Sequence, residues 1–318
     1  TKVGLAILNE GTRAGIQALK EVAAVGEITC GVVGFRLAPR LNAAGRLEDA
    51  AEGVELLLES SPERAREKAS LLDGFNRERQ RIEQETLQQA IARLEDDGTS
   101  DRRAIVLADD RWHPGVIGIV ASRLVERYHR PTVLIALENG QGKGSARSIQ
   151  GFHLFRALQK CREELTGFGG HEYAAGLSLA AERVDSFAGA FERIAGEDLT
   201  DEDLRPRLSH DGEVRLETLP LSQVREWALL APFGAGNPQP AFVATDLEVR
   251  QPRIVGKDHL RFLVRQDGVS MPCIAFGMAA RLEELGERVD LLFVPALNQW
   301  QGRTSVQLQI RDFRPATE

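Results

Sequence analysis

Between residues 104 and 137 the chain reads AIVLADDRWHPGVIGIVASRLVERYHRPTVLIAL. Two short apolar runs, AIVLA and TVLIAL, have the length and bounding residues of buried strands. GVIGIVASRLVERY between them has the spacing of a helix. Strand–helix–strand of this kind is an α/β unit. It extends over residues 99–196, through a second helix, GFHLFRALQKCREEL, and a third segment, VDSFAGAFERI, that closes it near Ile194.

Several stretches in and around this unit carry polar chemistry. Residues 140–148, GQGKGSARS, alternate glycines with polar positions directly after a strand. Such a stretch is either a flexible surface hairpin or a loop whose backbone N–H groups, with Ser145 and Arg147, receive an anion. Residues 167–176, GFGGHEYAAG, place Gly169 and Gly170 before His171, a pattern expected to give a tight turn opening a closely packed helix. His171 then sits near a positive helix end, able to donate to a phosphate. Close packing of small residues, with His171 an ordinary polar group, is the alternative. At WHPGVIG, Gly115 and Gly118 favour close helix–sheet packing over ligand contact. Residues 35–50, FRLAPRLNAAGRLEDA, gather Arg36, Arg40 and Arg46 around a small-residue turn with Asn42. Phosphate binding and salt bridges to Glu48 or Asp49 are both open there.

Upstream, residues 62–97 form a long charged segment in which Leu71, Phe75, Ile82, Leu87, Ile91 and Leu94 recur. Pro62 suits a first helical turn after Ser60 or Ser61, and Gly98 suits the end. A helix so polar commonly bridges domains. Downstream, AGEDLTDEDLRPRL reads as an acidic linker. From residue 205 to 318 strand patterns dominate, in FVATDLEVRQPRIV, HLRFLVRQDGVSMPCIAFG and VDLLFVPALNQWQGRTSVQLQIRDFRP. Several short strands in so few residues predict a five-stranded OB-like barrel.

Composition narrows the classes. Hydrophobic residues are 42% and charged residues 27% of the 318, ordinary for globular protein. No run reaches the ~20 apolar residues of a membrane span, and no signal segment opens the chain. Cys30, Cys161 and Cys273 are scattered and match no zinc or redox spacing, pointing to thiols in a reducing compartment. The net charge of −7 argues against a generic nucleic-acid binder and requires any such role to use local basic patches. The opening, TKVGLAILNEGTRAGIQALKEVA, lacks methionine and reads as the interior of a domain, so a fragment is expected.

Taken in order, RLNAAGRL, the charged helix with NRERQ, WHPGVIGIVASRL, GSARS, GGHEYAAGLSL and PFGAGNPQPAF resemble the RecJ family. These are bacterial 5′-to-3′ single-strand DNA exonucleases within the DHH phosphoesterase superfamily. GGHEYAAG is common to the superfamily, whereas RLNAAGRL and the domain order are more specific. The resemblance covers nearly the whole chain and implies the carboxy-terminal part of such an enzyme. Residues 1–59 would be the tail of a DHH domain, 60–98 a connecting helix, 99–196 a DHH-associated α/β domain and 205–318 an OB-fold domain. The family binds two Mn2+ or Mg2+ ions through Asp-x-Asp and Asp-His-His motifs of its amino-terminal domain. Asp-His-His does not occur in this sequence, so no catalytic or metal residue is assigned and this chain alone is expected to be inactive and to bind no metal.

The resemblance assigns Arg46 and Ser145 to a pocket for the 5′-terminal phosphate, with Asn42 supporting Arg46. Arg147 and His171, with Gly169 and Gly170, would contact the strand backbone. In the barrel, Arg250, Arg253, Lys257, Arg261, Arg265 and Arg303 would hold single-stranded DNA. Acidic and basic residues are equal from Asp246 to Glu318, ten of each, so the basic ones must share a face. Among barrel aromatics, Phe262, Phe276, Phe293 and Trp300, several are expected to fill the core. Single-strand-binding protein and a helicase are implied partners, with a cytoplasmic role in DNA repair and recombination and no membrane. Two rivals remain: a DHH phosphodiesterase acting on short RNA or cyclic dinucleotides, and an inactive RecJ-like replisome scaffold.

Overall fold

The computed structural model describes residues 1–96, 102–234 and 236–316. They divide into two units, one of residues 3–206 and one from Arg207 onward together with Thr1 and Lys2.

The first unit opens with helices α1 (Lys2–Glu10), α2 (Ala14–Val22) and α3 (Cys30–Val32). A π-helical turn, Val33–Leu37, leads into α4 (Ala38–Leu47), followed by α5 (Ala51–Leu58) and the 35-residue α6 (Pro62–Asp96). Ser61 starts α6: its carbonyl accepts from Ala65 N at 2.9 Å and its hydroxyl from Arg64 N at 3.4 Å. Pro62 follows where no N–H is needed. The expected stop at Gly98 lies outside the described residues.

α6 joins two cores. Ala65, Ala69 and Leu72 pack with α2, α4 and α5, while Ala90 and Leu94 pack with the sheet described next. Leu71, expected inside, is exposed, and its neighbour Leu72 is buried instead. Between these ends the buried face is polar: Asp73, Asn76, Arg79, Glu83 and Thr86.

The sheet strands are β1 (Ile105–Asp109), β2 (Thr132–Glu138), β3 (Gln141–Arg147), β4 (Gly167–Gly170) and β5 (Ala174–Ala180). Helix α7 (Ile117–Tyr128) crosses between the parallel pair β1 and β2, as the apolar runs predict. The strand order is β1-β2-β3-β5-β4, and every pairing after the first is antiparallel. β2 is buried on both faces. Val133 and Ile135 meet α8 (Leu154–Lys160) and α9 (Val184–Asp198), whereas Leu134 and Ala136 meet α7 and α6.

Two expectations are corrected here. GQGKGSARS is neither a loop nor a flexible hairpin; it is β3, in the middle of the sheet. Only Asn139 and Gly140, both at positive φ, turn the chain from β2. The residues after GGH open no helix. Gly167–Gly170 and Ala174–Ala180 are an antiparallel hairpin with His171 in its turn, so no helix end beginning in this segment lies beside that imidazole.

The second unit contains β6 (Gly212–Glu213), α10 (Leu221–Ala228), β7 (Phe242–Val255), β8 (His259–Gln266), β9 (Val269–Ala275), β10 (Arg288–Trp300) and β11 (Arg303–Pro315). Pairing runs β7-β8-β9-β11-β10 and returns from β10 to β7, which closes a five-stranded barrel with β6 added beside β7. On β8, Leu260, Phe262 and Val264 point inward while Arg261 and Arg265 point out. Phe262 and Phe293 fill the core, whereas Phe276 and Trp300 are exposed. Cys273 is buried in the barrel and Cys161 in the α/β core, where burial pushes the Cys161 thiol up to about 11.

Candidate functional site

Three sequence-singled residues meet at the start of α7. Arg46, on the last turn of α4, donates from Nη1 to the Gly115 carbonyl at 3.1 Å. A β-carbon at Gly115 would overlap the Arg46 carbonyl oxygen, so this approach requires glycine. One turn on, a β-carbon at Gly118 would lie 2.8 Å from Ser145 Oγ and 3.0 Å from an Arg147 guanidinium nitrogen. The packing role read for these two glycines is therefore what gathers the polar groups. Arg147 Nη1 donates to Ser145 Oγ at 3.2 Å and to the Ala146 carbonyl at 2.8 Å.

Neither Arg46 nor Arg147 has a carboxylate partner among the described residues. Burial lowers the Arg147 guanidinium from its ordinary value, and the charge of Arg46 lowers it further. Two cations held close without an internal counter-charge make a site for an anion. The other arginines of the same stretch are spoken for. Arg36 donates to the Ala23 carbonyl, and Arg40 pairs with Asp73 at 2.8 Å. Asn42 sits one turn before Arg46 on α4, exposed, with no hydrogen bond to it.

Directly beside Ser145 the sheet is a floor bare of side chains, at Gly176 and then Gly169. Opposite residues of antiparallel strands share a face. Ser145 stands opposite Gly176, which stands opposite Gly169; Arg147 stands opposite Ala174, and Lys143 opposite Ser178 and then Gly167. A β-carbon at Gly167 or Gly169 would meet nothing within 4 Å, and one at Gly176 only the Gly144 carbonyl at 3.9 Å. Gly142 and Gly144 have the reverse use on the other face, where β-carbons would lie 2.8 Å from Ile135 and 2.5 Å from Leu177. Gly170, at φ +146°, makes the turn that places exposed His171 at the floor's edge, where His171 N donates to the Ala174 carbonyl at 2.8 Å. Lys143 escaped the sequence reading. Its signal was the two-residue period of Lys143, Ser145 and Arg147, which marks a strand face.

In the barrel, Arg253 and Arg261 are directly paired across β7 and β8, and Arg265 follows further along on the same outer face. Lys257 lies in the turn between those strands. Arg250 is neutralised by Glu248 at 2.5 Å, and Arg303 stands on the separate β10–β11 hairpin, opposite exposed Trp300. Exposed Phe276 packs edge-on against His259 with ring centroids 5.2 Å apart, beside the Lys257 turn.

Among the described residues no group of three or more His, Cys, Asp or Glu side chains could hold a metal ion. The α7 site itself is built of guanidinium groups and repels a divalent cation. These residues do not fit a metal.

Residues 101–197 match the DHHA1 domain and residues 210–312 the RecJ OB domain. The single-stranded-DNA-specific exonuclease RecJ of Bacillus subtilis (strain 168) is 37% identical over 98% of this chain, which covers 40% of that protein. Crystal structures of RecJ from Thermus thermophilus with Mg2+ and with Mn2+ superpose at TM-scores of 0.85 and 0.86. Both are 31% identical over 99% of this chain, which spans 48% and 46% of them. The chain thus spans less than half the length of each of these relatives.

Proposed function

The chain is homologous over nearly its whole length to the carboxy-terminal part of the RecJ single-stranded-DNA-specific exonucleases, and on that premise we propose that it is the substrate-holding part of such an enzyme. Arg46, Ser145 and Arg147 receive the 5′-terminal phosphate at the first turn of α7. The bare floor of Gly167, Gly169 and Gly176, edged by Gly170 and His171, lets the strand backbone lie against the sheet without side-chain interference. Asn42 lines the approach to Arg46. The barrel holds single-stranded DNA through Arg253, Lys257, Arg261 and Arg265, with Trp300, Phe276 and Arg303 as further contacts. Phosphodiester hydrolysis would use Mg2+ or Mn2+, the ions in the two Thermus structures, bound by residues outside this chain. The setting is cytoplasmic DNA repair and recombination, with single-strand-binding protein and a helicase as partners. No helix among the described residues is long and apolar enough to cross a membrane.

One observation carries this reading: Arg46 at Gly115 and Arg147 at Ser145 and Gly118 lie near enough for their charges to repel, with no carboxylate to neutralise them among the described residues. The test is fluorescence-anisotropy titration of this chain with oligo-dT bearing a 5′ phosphate or a 5′ hydroxyl. Tighter binding of the phosphorylated end is expected, and equal affinity for both ends would refute the pocket. Nucleotide release by this chain with Mn2+ would refute its assignment as substrate-holding only.

A further inference from the structure

The buried midsection of α6 bears on the anion site without forming part of it. Glu83 is 3% exposed and holds cations on two helices. Its Oε2 accepts from Arg79 Nη1 at 2.8 Å, one turn away on α6. Its Oε1 lies 2.5 Å from Arg123 Nε on α7, a close ion pair that lacks hydrogen-bond alignment. Arg79 is itself 9% exposed; Asn76 Oδ1 accepts from its Nη2 at 3.0 Å, while its Nε has no hydrogen-bond partner. Burial lowers the Arg79 guanidinium; Glu83 opposes that shift, and Arg46 and Arg123 add to it. Four arginines, 46, 79, 123 and 147, thus lie in one neighbourhood where Glu83 is the carboxylate that pairs.

A buried ion pair is a weak source of stability, because desolvation offsets the attraction, and its best-attested use is to fix one arrangement. Here the element fixed is α7. Arg46 meets Gly115, two residues before its first turn, and Ser145 with Arg147 meet Gly118 within that turn. We propose that Glu83 is a positioning residue of the phosphate site, itself held by Arg79 on its own helix and holding α7 against α6 through Arg123, so that Arg46, Ser145 and Arg147 present their donors together. The inference rests on the reading of that site as a receiver of terminal phosphate. It differs in sign from simple electrostatics, by which removing a negative charge near an anion site tightens binding.

The test uses the whole chain, titrated with 5′-phosphorylated and 5′-hydroxyl oligo-dT. Glu83→Gln keeps the shape and removes the charge. It is expected to weaken binding of the phosphorylated end about tenfold and of the hydroxyl end less than about twofold, as for loss of one charge-assisted contact. Arg123→Gln removes the exposed partner, leaves Arg79 paired and is expected to act in the same direction, about threefold. If Glu83→Gln does not fold, Arg123→Gln decides. Equal weakening at both ends would show a merely structural role, and tighter binding of phosphate would show a competing charge; either overturns the inference. If wild type has no preference for the phosphate, or Arg46→Ala leaves the preference intact, the underlying reading of the site fails instead.

Discussion

Arg253 on β7 stands directly opposite Arg261 on β8, both exposed and neither paired with an acid among the described residues. Like charges placed opposite each other across two strands repel. The bulge that brings them into register, at Gln251 with φ +52°, is also the point where β7 bends. A protein that keeps such a pair gains when a polyanion lies over it.

For Arg261→Ala we therefore expect weaker binding of oligo-dT and a shallower salt dependence. Each phosphate contact removed lowers the log–log salt slope by about 0.7 for a single strand. Thermal stability of the variant should be unchanged or higher. Titration of the whole chain at two salt concentrations checks this. An unaltered slope would place DNA on another face of the barrel.

Arg46→Ala should cost binding of a 5′-phosphorylated strand ~1.5–3 kcal/mol, the worth of a charge-assisted contact. Strands ending in a hydroxyl should be little affected. The comparison of both ends, on variant and wild type, is the measurement. Equal losses would make Arg46 a structural residue at Gly115.

Glycines of the same sheet should respond oppositely to valine. Gly169→Val, where a β-carbon meets nothing within 4 Å, should leave thermal stability intact and block strand binding. Gly144→Val, where it would lie 2.5 Å from Leu177, should destabilise by ~1–3 kcal/mol through overpacking. Melting curves and oligo-dT titration together separate the two. A melting temperature lowered in Gly169→Val would mean that the floor is packed after all.

Asp109, at the end of β1, is buried and accepts from Arg111, with Arg93 also beside it. The Arg111 side-chain hydrogen bonds, with backbone and charge contributions, hold its carboxyl well below the usual range. A depressed folded-state value stabilises the protein above the unfolded value of about 3.9, and that stability is lost as pH falls further. Wild type should thus lose stability steeply below about pH 4, and Asp109→Asn should start lower and change less there. Thermal melts from about pH 6 to about pH 3 test it; parallel curves would assign the acid sensitivity elsewhere.

The parts of the fold readable in the sequence are those where burial imposes a period. TVLIAL is apolar throughout because β2 is covered on both faces, and HLRFLVRQ alternates because only one face of β8 meets the core. β3 was hidden because glycine is a poor strand former, and the apolar atoms that fill the space at Gly142 and Gly144 belong to Ile135, Leu177 and Leu179 on other strands. The helix expected after GGH gave way to pairing of β4 with β5. The local preference of YAAG for helix lost to a tertiary partner. For the site, Arg46, Ser145 and Arg147 were visible as residue types near glycines. Glu83 was not, since in a segment as charged as 62–97 a buried glutamate looks like every exposed one.

The polar midsection of α6 also bears on how this helix resists slippage. Apolar helix faces can shift by a turn, ~5.4 Å, and still bury hydrocarbon. Such a shift of α6 would bring Arg77 or Ala69 to the place of Asp73, facing Arg40, and Leu87 or Arg79 to the place of Glu83, facing Arg123. Every option trades an ion pair for a like-charge contact or an unpaired guanidinium. The ionic residues therefore act as a ratchet pawl along the helix axis, permitting one register where a hydrophobic seam would permit several.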